Sequence, residues 1–74
     1  MDYEDLEETL RKEYNQWCRD NGYMPNPDTL DRFTEDAINR IQEYMLGGMD
    51  IDEAYEEYKS EMYSDMEYAR EEYE

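Results

Sequence analysis

The sequence predicts an all-α fold: a small three-helix bundle, or a helical hairpin followed by a long C-terminal helix. Three observations lead there. Apolar residues recur at three- and four-residue spacing in three stretches. Two glycine-containing breaks separate those stretches. No segment shows the strict alternation of a half-buried strand.

The first stretch runs from about residue 3 to residue 20. Tyr3, Leu6, Leu10, Tyr14 and Trp17 form one stripe of a 3.6-residue period. Acids gather at its start and Arg11, Lys12 and Arg19 follow, an order that suits the helix dipole. Asn21-Gly22 supplies a left-handed stop.

A loop with Pro25 and Pro27 comes next, since each proline biases the residue before it away from helix. The second stretch, near 28–46, starts with Asn26 as a candidate cap before Pro27, or with Asp28 or Thr29 a little later. Leu30, Phe33, Ala37, Ile41 and Met45 make its stripe, widened by Ile38. Gly47-Gly48 ends it.

The third stretch spans about 51–72. Asp50 and Glu53 stand at capping-box spacing. Ile51, Ala54, Tyr55, Tyr58, Met62, Met66, Ala69 and Tyr73 line its inner face. The expected core is Leu6, Leu10, Trp17, Leu30, Phe33, Ile38, Ile41, Tyr55, Tyr58 and Met62. Residues 1–74 read as a single acidic helical domain.

Composition narrows the chemistry. The chain has 23 acidic against 7 basic residues, for a formal net charge of −16. Leu, Ile, Val and Phe together number 8 in 74, about 11% and well under the 20% or so below which charged chains tend to disorder. Nine tyrosines, six methionines and one tryptophan compensate with large buriable side chains. Histidine is absent and Cys18 is the single cysteine. That excludes an internal disulfide, imidazole chemistry and four-ligand Cys/His zinc sites. Asp50-x-Asp52-Glu53 begins like a calcium loop, but Tyr55 stands where that loop needs glycine. No catalytic residues, metal ligands or cofactor are assigned. Cys18 reads as a small buried hydrophobe.

No run approaches the length of a membrane span, and no signal-peptide pattern opens the chain, so a cytoplasmic location is expected. Such an acidic chain repels nucleic acid and anionic membranes, so its natural partner is basic.

The charge is uneven. Residues 50–74 hold 11 acids and 2 bases. With Tyr55, Tyr58, Met62 and Ala69 facing inward, the outer positions are Glu53, Glu56, Glu57, Ser60, Tyr63, Ser64, Glu67, Glu71 and Glu74, with Arg70 the one base among them. Like charges three or four apart on a helix repel, and a helix shaped for stability alone would interleave lysine. The functional reading is a row of carboxylates spaced somewhat like phosphates. Tyr63 and Tyr68 fall off the apolar stripe and suit interface anchors. Partner binding is therefore expected at Glu53, Glu56, Glu57, Glu61, Tyr63, Asp65, Glu67, Tyr68 and Glu71.

Short length, acidity, abundant tyrosine and helical patterning together resemble the DNA-mimic inhibitors of bacteriophages and mobile elements. Anti-CRISPR and anti-restriction proteins are among these. The resemblance is one of type, spans the whole chain and carries no family motif. It implies a stoichiometric inhibitor, not an enzyme, which blocks the nucleic-acid-binding surface of a host defence or DNA-binding protein in the bacterial cytoplasm. Two other classes fit the same residues. One is a non-mimic interaction module that grips a host enzyme or RNA polymerase through apolar helix contacts. The other is an acidic, antitoxin-like partner. A homodimer covering an exposed apolar stripe is a further expectation.

Overall fold

The computed structural model describes residues 1–73. Three helices run in order: α1 Tyr3–Asp20, α2 Pro27–Leu46 and α3 Ile51–Tyr73. They form an all-α three-helix bundle, and no strand occurs among the described residues.

Each helix begins where a side chain satisfies orphan amides. The Asp2 carboxylate accepts from the Asp5 N–H at 2.8 Å. The Asn26 side-chain oxygen, directly ahead of Pro27, accepts from the Asp28 and Thr29 N–H groups. The Asp50 carboxylate accepts from the Glu53 N–H at 2.8 Å, as the capping-box spacing predicts. Both glycine stops close by the same geometry. The Tyr23 N–H returns to the Cys18 carbonyl at 2.7 Å and the Gly22 N–H to Arg19 at 3.2 Å. Gly22 sits at φ 75°, as this Schellman closure requires. The Met49 N–H reaches Tyr44 and the Gly48 N–H reaches Met45 in the corresponding way, with Gly48 at φ 110°.

These short turns lay the helices antiparallel in sequence. α3 packs along α2, α1 packs on α2 more sparsely, and the backbones of α1 and α3 approach least. At 23 residues, α3 is about 35 Å long by helical rise, close to the 36 Å long axis of the molecule.

The core is Leu6, Leu10, Tyr14 and Cys18 from α1, Phe33, Ala37 and Ile41 from α2, and Ala54, Tyr55, Tyr58, Met62, Met66 and Ala69 from α3. Three expected core residues are displaced: Trp17, Leu30 and Ile38 are only half-buried against its edge. In α1 the interior position one turn beyond Tyr14 belongs to Cys18, which leaves the larger Trp17 about 100° to the side. Tyr3, at the start of the same stripe, is exposed. Thr34 is buried because its hydroxyl donates back to the Leu30 carbonyl at 2.7 Å.

Aromatic contacts tie one end of the bundle together. Phe33 stacks on Tyr14 at 5.4 Å between centroids, and Tyr14 meets Trp17 at 6.0 Å. Trp17 meets Tyr23 at 5.6 Å, and the Arg70 guanidinium lies 3.6 Å over the Tyr23 ring. The series passes from α2 through α1 and the loop to α3. The accessible surface is 4912 Å², against roughly 4,900 Å² expected of a compact 9.2 kDa monomer. The three stripes close on one another, while Met1, Tyr3 and Leu46 remain exposed.

Leu10 and Ile41 are fully buried. Replacing either with Ala should cost about 2–5 kcal/mol, most of the stability of a domain this small, read as loss of the cooperative urea transition.

The buried Tyr58 hydroxyl donates to Asp65 at 2.7 Å. Burial, then the Asp65 hydrogen bond and charge, hold its pKa well above the ordinary value of a phenol. An acid raised in the folded state favours the protonated form. Its contribution is thus complete below the unfolded pKa of about 10 and is lost as pH climbs above that. Alkaline titration should show a late, cooperative rise in tyrosinate absorbance coinciding with loss of helix, and Tyr58→Phe should remove the late component.

Candidate partner-binding surface

The basic residues show how the surface is organised, because the fold uses most of them to fasten elements. Arg11 of α1 bridges Asp31 of α2 at 2.9 Å and Glu7 at 3.2 Å. These bonds hold its pKa above the ordinary arginine value, the Asp31 hydrogen bond contributing most. Arg40 of α2 reaches Glu61 of α3 and its own neighbour Glu43, each at 3.5 Å. Arg32 of α2 lies 4.8 Å over the Tyr73 ring of α3, while Arg70 of α3 covers Tyr23. Lys12 pairs with Glu8 at 3.1 Å, and Lys59 with Glu56 at 3.2 Å. Two ion pairs thus cross between helices, Arg11–Asp31 and Arg40–Glu61, the other side-chain pairs lie within one helix, and the outer face of α3 keeps most of its carboxylates.

The residues expected to bind a partner divide into two sets. Glu53, Glu57, Glu67 and Glu71 are exposed on the outer side of α3 and make no ion pair among the described residues. Glu56 is exposed and held by Lys59. Glu61 and Asp65 depart from this row. They are half-buried and turned toward the interior, where Glu61 accepts from the Tyr44 hydroxyl at 2.8 Å and Asp65 from Tyr58. The outer carboxylates consequently form two clusters. Between Glu57 and Glu67 lies a gap of about 15 Å of helical rise, occupied by Ser60, Tyr63 and Ser64. Glu74, also expected on this face, lies outside the described residues.

Tyr63 and Tyr68 are exposed by 56% and 59%. They do not share a face. Five residues of helix turn them about 140° apart. Tyr68 borders a groove of about 270 Å³ between α2 and α3, together with Asp36, Asn39, Glu43, Asp65 and the core residues Phe33 and Ala69. The α2 contribution to this surface is not visible in the charge run of residues 50–74. Its signal was the acids of the second stretch, Asp36 and Glu43, at seven-residue spacing along one side of the helix. Tyr44, off the stripe in sequence, is half-buried through its bond to Glu61, which, with burial, raises its pKa.

Among the described residues no helix is long and apolar enough to cross a membrane, and no group of three or more acidic or cysteine side chains is disposed to hold a metal ion. Fold and surface together define a small acidic helical bundle in which four of the seven bases, Arg11, Arg32, Arg40 and Arg70, reach across to another element. No protein-family model, curated protein or solved structure matches the chain.

The two sets of carboxylates should respond oppositely to neutralisation. Glu61→Gln should lower the urea midpoint, because Tyr44 and Arg40 lose a charged partner. Glu67→Gln should leave the midpoint unchanged or raise it, by relieving repulsion from Glu71.

Proposed function

We propose that the protein is a stoichiometric inhibitor of bacteriophage or mobile-element type, which occupies the basic nucleic-acid-binding surface of a bacterial host protein. Its carboxylates stand in for phosphates. The observation that carries this reading is charge per unit length. A net −16 along a 36 Å axis is roughly one charge per 2.3 Å, between the 1.7 Å of duplex DNA and the 3.4 Å of one strand.

The arrangement of the cations supports it. Bases spread over the outer face would cancel that field, whereas bases at the seams leave it to act outward. Glu53, Glu57, Glu67 and Glu71 carry the electrostatics of α3, and Asp36 and Glu43 extend it onto α2. In this reading the protein does no chemistry of its own, takes no cofactor and acts in the cytoplasm of the host. Defence proteins of the CRISPR and restriction kind have basic surfaces of the required sort.

A second reading rests on one end of the bundle. Leu46 is 89% exposed there, near Met1 and Tyr3, whose hydroxyl lies 3.7 Å from the Met45 sulfur. Apolar contact through that end would make an interaction module of another kind. Its affinity would change little with salt.

The test reverses charge without touching the core. A Glu53, Glu57, Glu67, Glu71→Lys variant should keep its helical circular dichroism and lose binding to the host protein that the wild type captures from bacterial lysate. Duplex DNA should compete with the wild type, and the association rate should fall steeply with salt. Equal binding by the folded variant, with no competition by DNA, would overturn the proposal, and loss of binding on Leu46→Glu would favour the second reading.

A further inference from the structure

Aromatic rings in this protein repeatedly receive cations. Arg70 covers Tyr23 at 3.6 Å, Arg32 covers Tyr73 at 4.8 Å and Lys59 approaches Tyr55 at 5.2 Å. A carboxylate accompanies two of these pairs: the Tyr73 hydroxyl donates to Asp36 at 3.5 Å, and Glu56 holds Lys59. The physical reason is common to them. The face of the ring attracts a cation, and in the two arginine pairs the flat guanidinium can also stack on it, as the Lys59 ammonium cannot.

Tyr68 has the surroundings of such a pair and no cation. Its ring is mostly exposed, with no cation over it and no hydrogen bond among the described residues. It borders the groove between α2 and α3, whose rim holds Asp36, Glu43 and Asp65 and whose floor includes Phe33 and Ala69. The groove's own base, Arg40, is drawn to Glu61 and Glu43. The groove offers an apolar floor for a methylene stem and a ring for a planar cation. Beside them stand three carboxylates that already hold one partner each, Asp36 with Tyr73, Glu43 with Arg40 and Asp65 with Tyr58, and against which the single base is Arg40.

We propose that this groove receives an arginine side chain presented by a basic protein partner. The inference rests on the inhibitor reading and adds a preference to it. Net charge alone draws lysine and arginine equally, whereas a ring beside carboxylates favours arginine. Arginine also makes many of the phosphate contacts on nucleic-acid-binding surfaces, so the groove would take hold of the same side chains that hold the nucleic acid.

The test uses the full chain and two capped hexapeptides of equal charge, one of arginine and one of lysine, titrated at low salt. The arginine peptide should bind about two- to fivefold more tightly, the size of an exposed cation–π contact. Its NMR shifts should centre on the Tyr68 ring and the Asn39 side-chain amide. Tyr68→Ala should remove the preference, and Tyr68→Phe, which keeps the ring, should retain it. Circular dichroism confirms that both variants fold. Equal affinities for the two peptides, or a preference that survives Tyr68→Ala, would overturn the arginine site and leave the charge-based inhibitor reading in place. Failure of both peptides to bind would overturn the two together.

Discussion

The stack from Phe33 through Tyr14, Trp17 and Tyr23 to Arg70 is the interaction on which the bundle most depends. It crosses all three helices and the first loop within one run of ring contacts. A chain with a net charge of −16 and few aliphatic residues cannot close on leucine and valine alone. Rings bury large areas with few rotatable bonds, and their edges tolerate the half-wet margin of a small core. Tyr14, Tyr55 and Tyr58 supply large buried side chains to the core, Tyr14 by stacking on Phe33 of α2. The stack runs from buried Phe33 and Tyr14 to half-buried Trp17 and Tyr23, where the Arg70 guanidinium covers one face of the last ring.

The same scarcity governs the cations. With seven bases against 23 acids, each base placed outward would reduce the external field, and each placed at a seam removes repulsion between helices. Arg11, Arg32, Arg40 and Arg70 all join separate elements. Exposed ion pairs are individually weak. Their value here is that they cancel like-charge repulsion where two acidic helices meet. Stability and surface potential are thereby assigned to different places on one small molecule.

Carboxylates divide in a parallel way. Glu61 and Asp65 accept from buried or half-buried tyrosine hydroxyls and belong to the α2–α3 seam. Glu53, Glu57, Glu67 and Glu71 have no such duty and stand exposed on the outer side of α3. The interruption between the two outer clusters follows directly from turning Glu61 and Asp65 inward. Evenly spaced charge and a satisfied tyrosine core make competing demands on the middle of α3, and the core prevails there.

Local sequence determined the helices, their limits and the sign of the surface. Asp2, Asn26 and Asp50 cap because their side chains reach amides two or three residues on, and Gly22 and Gly48 stop because they accept positive φ. These are interactions within a few residues, so punctuation was enough to read the Asn26 and Asp50 caps and both glycine stops, while the Asp2 cap emerged with the structure. Tertiary structure decided what depends on neighbours far along the chain. Cys18 took the interior place that the stripe assigned to Trp17, whose ring lies at the edge between Tyr14 and Tyr23. Glu61 and Asp65 left the acidic row for Tyr44 and Tyr58, and Asp36 and Glu43 of α2 joined Tyr68 of α3 along one groove. No helical wheel could show this. A wheel gives the direction of a side chain from its own axis, and only the packing of a second helix says what stands in that direction.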